Sequence, residues 1–180
     1  MKGMIFTEFM EMVEATWSLD QVDAIIARSR VASGGAYTAV GNYPHGEFVA
    51  LVAALSQETG LATADLQRTF GQYLFERFAY AYPRLLQGMS GSFQFLSGIE
   101  TTLHAEVRKL YPDAELPTFA VEQQPGHLTL TYFSQHPFSD LAHGLIEGCA
   151  AHFGETVAVR REAVSNIPGA QARFTLTLKN

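Results

Sequence analysis

The stretch FQFLSGIETTLHAEVRKLY, residues 93–111, decides how the rest of the chain is read. Ile99, Leu103, His104, Val107 and Leu110 recur at three- and four-residue steps, which puts them on one face of a helix. His104 stands where leucine or valine is the usual occupant. A histidine there needs a hydrogen-bond partner, a metal or a cofactor, because an unsatisfied polar atom in a core costs about 1–3 kcal/mol. The spacing alone leaves a structural core histidine and a ligand both open. Pro112 ends the helix.

Upstream of this stretch the pattern is helical. Residues 4–17 form an amphipathic helix with Ile5, Phe9, Met12, Val13 and Trp17 on one side. Ser18 is placed to cap a second helix over 19–29, its hydroxyl accepting from free backbone N–H groups. Residues 34–43 (GGAYTAVGNY) read as a loop. A third helix spans 45–58 with Gly60 as its stop, and Thr63 opens a fourth whose inner stripe is Leu66, Phe70, Tyr73, Leu74 and Phe78. Residues 83–88 make a short helix or turn.

After Pro117 the texture changes. Residues 118–123 and 128–134 alternate apolar and polar side chains, with Pro125–Gly126 between them as a hairpin turn. Ser139 caps a further helix (DLAHGLIEGCAAHF). Strand-like runs follow at 156–161 and 172–178, joined around Pro168 and Gly169. A helical half followed by β-β-α-β-β gives an α+β fold, with the two kinds of structure segregated along the chain.

Composition narrows the function. With 47% apolar and 17% charged residues the chain is globular, and its 180 residues suffice for one well-buried core. Thirteen Phe and seven Tyr suit a roomy core or an apolar pocket. A net charge of −6 offers no basic footprint for nucleic acid. There is no 18-residue apolar run and no signal-peptide layout, so a cytoplasmic protein without membrane association is expected. The single cysteine, Cys149, excludes an internal disulfide and a cysteine-cluster metal site. His143 and His152 share a helix with Cys149; His152 and Cys149, three residues apart, could lie on one face and invite zinc, but supply few ligands. His45 and His127 fall at loop or turn edges. No nucleophile–base pair, P-loop or suggestive carboxylate pair is present, and no enzyme is expected.

Order and motifs together resemble the H-NOX family, the heme–nitric oxide/oxygen binding domains, which include the heme domain of soluble guanylate cyclase. The resemblance runs from Met1–Lys2–Gly3 through Phe70–Gly71–Gln72, FLSGIETTLHAEVRKLYPDAELPTF (95–119), TYFS (131–134) and HGLIEG (143–148). It implies one domain over 1–180, with a helical subdomain at 1–60, a heme-ligating α/β subdomain at 61–180 and heme b between the halves. It also implies that His104 is the proximal iron ligand, and the chemistry of neutral imidazole fits that role. The family's Tyr-x-Ser-x-Arg motif holds the heme propionates. Here Tyr132 and Ser134 match, while His136 stands in place of the arginine. A forked, permanent cation is replaced by a donor that titrates near neutrality, so heme retention is expected to be weaker or more pH-dependent unless a cation such as Arg84 substitutes.

The resemblance also locates the distal side. The positions of the family's oxygen-holding tyrosine and its polar support fall at Leu141 and Leu74, and Phe9 with Leu145 completes an apolar wall. Bound dioxygen needs a hydrogen-bond donor and NO does not, so NO is expected to bind, with CO as a surrogate. Tyr73 lies one step round the helix from Leu74. Pro117 and Ile5 match residues that press on the heme, and Gly3 and Gly71 match hinge-like positions, although close helix packing accounts for both glycines as well. The implied function is a stand-alone bacterial NO sensor. NO weakens the iron–His104 bond, the subdomains shift, and a separate histidine kinase or cyclic-di-GMP enzyme reads the change. The alternative, from the absent arginine, is a redox or heme-availability sensor with weakly held or bis-histidine heme.

Overall fold

The Ser18 cap and the positive-φ glycines Gly60 and Gly126 punctuate this chain where the sequence places them. The computed structural model describes residues 1–165, 167 and 169–179, the side chains of Leu110 and Ala170 excepted, so Pro168 of the expected loop lies outside the described residues. Four helices come first: α1 Gly3–Thr16, α2 Leu19–Ser29, α3 His45–Thr59 and α4 Thr63–Ala81. Ser18 caps α2 by accepting from the Gln21 N–H at 3.1 Å, and Gly60 ends α3 at φ 75°. A 3-10 turn at Pro83–Leu85 leads into α5 Ser92–Ser97 and α6 His104–Leu110. Then come β1 Thr118–Gln124, β2 His127–Phe133, α7 Ser139–His152, β3 Val157–Ala163 and β4 Ala170–Leu178. The fold is α+β, with one antiparallel four-stranded sheet in the order β1-β2-β4-β3. No helix among the described residues is long and apolar enough to cross a membrane.

The chain divides into two compact units, Met1–Phe70 and Gly71–Asn180. In the first, Phe6, Phe9, Met12 and Val13 of α1 are buried with Ile25, Phe48, Leu51, Leu55, Leu66 and Phe70. The rings interlock edge to face, Phe9 against Phe48 at 5.2 Å and against Phe70 at 5.3 Å. Phe6 was not expected in this core. It is buried because Tyr37 of the 34–43 segment stacks on it at 4.4 Å, while Ile5 and Trp17 are only half-buried. Tyr37 and Ser33 both donate to the Glu47 carboxylate, at 2.7 and 2.6 Å. Gly3 lies against the same segment, where a Cβ would meet the Thr38 carbonyl and Tyr43 Cε2.

In the second unit, alternate residues of β2 and β4 face α7 and α5. Leu128, Leu130, Tyr132, Phe174 and Leu176 form one core with Ile146, Cys149, Phe95 and Leu96. Pro125 and Gly126 (φ 74°) turn β1 into β2 as the sequence predicts. Two expectations are corrected. Ser139 is the first residue of α7 and not its cap; Phe138 occupies that place, and Ser139 Oγ accepts from Arg161 instead. The inner stripe of α4 is Leu66, Phe70, Leu74, Phe75 and Ala79, leaving Tyr73 and Phe78 half-buried, because side chains of a helix meet its neighbour at i, i+4 and i+5 steps here.

Candidate functional site

The helix expected over 93–111 is not continuous. Gly98 ends α5, and residues Ile99–Leu103 wind as a π turn in which the His104 N–H reaches the Ile99 carbonyl. Gly98, β-branched Ile99 and the Thr101–Thr102 pair have little intrinsic hold on a regular α-helix, and single π turns concentrate at functional sites. Between residues 97 and 109 His104 alone is buried, at 6% exposure, while Ile99, Leu103 and Val107 are half-buried around it.

The His104 ring is anchored. Its Nδ1 lies 3.1 Å from Glu100 Oε1, one helical step back. Burial pushes its pKa below the ordinary 6.5, against the pull of the Glu100 carboxylate and with a small downward push from Arg108. The neutral ring is therefore favoured, with Nδ1–H donated to the carboxylate and the Nε2 lone pair available to a metal. Phe119 packs 6.1 Å from His104, centroid to centroid, and 5.4 Å from Tyr132, its register partner across the β1–β2 ladder.

Tyr132 is buried on the inner face of β2, and burial raises the pKa of its phenol while a hydrogen bond with Ser134 opposes the rise. Ser134 Oγ in turn accepts from the His136 N–H at 3.0 Å. At Tyr132–Phe133 the β2–β4 register slips by one residue, and Gln171, left over on β4, donates to the Ser134 carbonyl at 2.6 Å. His136 is half-buried, its Nε2 3.1 Å from Glu115 Oε2, a carboxylate that is itself 74% exposed. Pro117 is half-buried immediately before β1, and Arg84 is exposed on the 3-10 turn.

Leu74 and Leu141 are buried and Leu145 is half-buried. All three lie where α4 meets α7. A Cβ on Gly71, three residues before Leu74, would touch the Leu141 carbonyl and stand 2.7 Å from the Leu145 nitrogen. Gly148 continues the same close approach, its virtual Cβ 2.8 Å from Phe75 Cβ and 3.0 Å from the Gln72 carbonyl. The structure thus joins His104 to Tyr132 through Phe119, joins Tyr132, Ser134 and His136 by hydrogen bonds, and gathers the three leucines separately. Ile5 and Phe9 belong to the helical unit described above. Cys149 is fully buried and burial pushes its thiol pKa up, so it offers no exposed nucleophile.

Three residues escape the sequence reading. Glu100 carries a visible signal, since its i, i+4 spacing from His104 is that of a helical pair. Glu115 and Gln171 carry none, because hairpin register and a bulge bring them to the motif from 21 and 37 residues away.

A family model described as Haem-NO-binding matches residues 2–161. Among solved structures, the chain is similar to the Fe(II) unliganded H-NOX protein from K. algicida at 36% identity and a TM-score of 0.92, covering 100% of this chain and 97% of that one. It is also similar to the H-NOX from Shewanella woodyi solved in the Fe(II)CO ligation state, at 35% identity and a TM-score of 0.82, covering 98% and 94%. An H-NOX protein from S. oneidensis in the Fe(II)NO ligation state shares the fold at 24% identity, with a TM-score of 0.90 over 100% of both chains. No curated protein matches the chain.

Proposed function

This chain belongs to the haem-NO-binding family, and on that premise we propose that it is a heme-based gas sensor taking NO, with CO as a surrogate, at ferrous heme b held by His104. The observation that carries the reading is the state of His104: buried, favoured as the neutral ring, and tied at Nδ1 to a carboxylate. That is the arrangement of a metal-binding imidazole, with Nε2 as donor and the other nitrogen engaged by an outer partner. The residues present therefore fit the group. Bound ferrous heme would supply an iron able to take a diatomic gas, with His104 as the residue that would hold it.

The remaining roles fall to this chain's side chains. Tyr132, Ser134 and His136 would hold the propionates. In support, His136 Nε2 already meets a carboxylate, that of Glu115, so the ring is placed to pair with carboxylate oxygens such as a propionate's. Pro117 would press on the proximal side. Leu74, Leu141 and Leu145 would present methyl groups and no donor to a gas, which favours NO over stably held oxygen. As the likeness to stand-alone bacterial H-NOX proteins implies, the proposed partner is a separate histidine kinase or cyclic-di-GMP enzyme in the cytoplasm, sensitive to the release of His104.

Replacement of His104 by glycine tests the ligand assignment. The variant is expected to lose the ferrous heme absorption and to regain it when imidazole is added. An unchanged spectrum in His104→Gly would show that another residue binds the iron.

A further inference from the structure

Three parts of the second unit converge on one carboxylate. Glu100 Oε1 lies 3.1 Å from His104 Nδ1 and 3.1 Å from the backbone N–H of Phe119, the second residue of β1. Its Oε2 faces the Arg108 guanidinium at 3.8 Å. Glu100 itself sits on the π turn and is 29% exposed, so its carboxylate is wet on one side and fixed on the other. The π turn, the proximal helix and the sheet edge are thereby tied at a single oxygen. Phe119 pairs with Tyr132, so the tie extends by one ladder step to the strand that leads into Ser134 and His136.

A charged acceptor on Nδ1–H makes an imidazole a stronger donor at Nε2 than a neutral acceptor does, and it also fixes the ring plane and tautomer. We propose that Glu100 is the positioning residue of the heme site: it strengthens His104 as an iron donor and couples the histidine mechanically to β1. The inference deepens the proposed function and rests on His104 being the ligand. A stronger donor resists release when NO binds, so Glu100 sets how readily the sensor switches. Arg108, drawing on the same carboxylate, moderates that strength. When His104 leaves the iron, Glu100 passes the movement to the Phe119 N–H.

The test compares wild type, Glu100→Gln, Glu100→Ala and Arg108→Gln. In the ferrous unliganded proteins the iron–histidine stretching frequency is read by resonance Raman. Its expected order is Arg108→Gln highest, then wild type, then Glu100→Gln, with Glu100→Ala lowest. Heme affinity is expected to fall by about 10–100-fold in Glu100→Ala, as for other outer partners of metal-binding histidines. In the heme-free protein the Phe119 amide proton is followed by NMR, and it should shift upfield and exchange faster in both Glu100 variants. Glutamine is isosteric, so Glu100→Gln keeps the test sound if alanine disturbs folding. Wild-type frequency and a wild-type Phe119 amide in both Glu100 variants would overturn the proposal. So would a fall in frequency in Arg108→Gln equal to that in Glu100→Gln, since lost packing, unlike charge, moves both the same way. His104→Gly separates the two readings. If its heme spectrum is unchanged, the ligand assignment fails and this proposal with it. If its spectrum collapses while Glu100 variants keep the wild-type frequency, only the Glu100 inference fails.

Discussion

Replacing Glu155 with alanine removes the cap of α5, a cap that comes from outside the helix. Gly91 at the α5 N-terminus has no side chain to offer, and the Glu155 carboxylate arrives from the turn between α7 and β3 to accept from both the N–H and the hydroxyl of Ser92. Ser92 is fully buried, so neither donor finds water in the carboxylate's place. Hydrogen bonds to charged groups are worth about 1.5–3 kcal/mol each, and a buried donor left unsatisfied costs about 1–3 kcal/mol. Glu155 is half-buried and regains some hydration in the unfolded chain, so the two bonds together are placed at the lower end, about 2–3 kcal/mol. For a chain of this size that corresponds to a fall in Tm of about 5–10 °C. The assay is urea unfolding of wild type, Glu155→Ala, Ser92→Ala and the double variant. A coupling energy of about 1–2 kcal/mol between the two sites is expected. A double variant equal to the sum of the singles, within about 0.5 kcal/mol, would refute the reasoning. Because α5 leads directly into the π turn that carries Glu100 and runs into His104, Glu155→Ala should also speed heme loss in proportion to its loss of stability.

The remaining predictions concern other parts of the chain. Burial raises the Glu47 pKa, but the Ser33 and Tyr37 hydroxyls outweigh it and hold the carboxyl below its ordinary 4.5; its stabilising contribution is complete above that value and is lost as pH falls through the lower folded pKa, and Ser33→Ala should flatten the acid limb of a stability profile. Tyr37 is pushed up to about 12 by burial, with Ser33 opposing and Glu47 reinforcing the rise; its contribution is complete below pH 10 and fades toward 12, so Tyr37→Phe should reduce the alkaline loss seen by circular dichroism. Gly148→Ala should destabilise by about 1–2 kcal/mol in urea unfolding, since crowding against Phe75 and the Gln72 carbonyl outweighs the gain in helix propensity; a more stable variant would show that the helices can part at no cost. His136→Arg should slow heme transfer to an acceptor protein, because a forked cation grips a propionate more firmly than imidazole; equal rates would place His136 away from the propionates.

Local chemistry was legible wherever neighbours in sequence do the work. The Ser18 cap, the Gly60 stop and the Pro125–Gly126 turn follow from side chains acting within three residues, and the structure has all three. The order of helices and strands follows from periodicity in the same way. The reading failed where a distant segment decides the outcome. Phe6 is buried by Tyr37, thirty-one positions away, and α5 is capped by Glu155 across sixty-three. The break at Gly98 was visible only as a glycine in a helical pattern, and a π turn preserves the apolar stripe well enough to hide itself. At the site, His104 stood out as a polar residue on an apolar face, and Tyr132 and Ser134 as parts of a motif. Glu115 and Gln171 had no signal, because only sheet register brings them to Ser134 and His136.

The most direct test of the account is the absorption spectrum of the reduced, heme-loaded protein exposed separately to NO, CO and air. Clear shifts with NO and CO and no stable oxygen complex are predicted, because Leu74, Leu141 and Leu145, as the proposed distal residues, would offer no hydrogen bond to a bound gas. A stable oxygen spectrum would contradict that claim and point to a donor such as Tyr73 on the distal side.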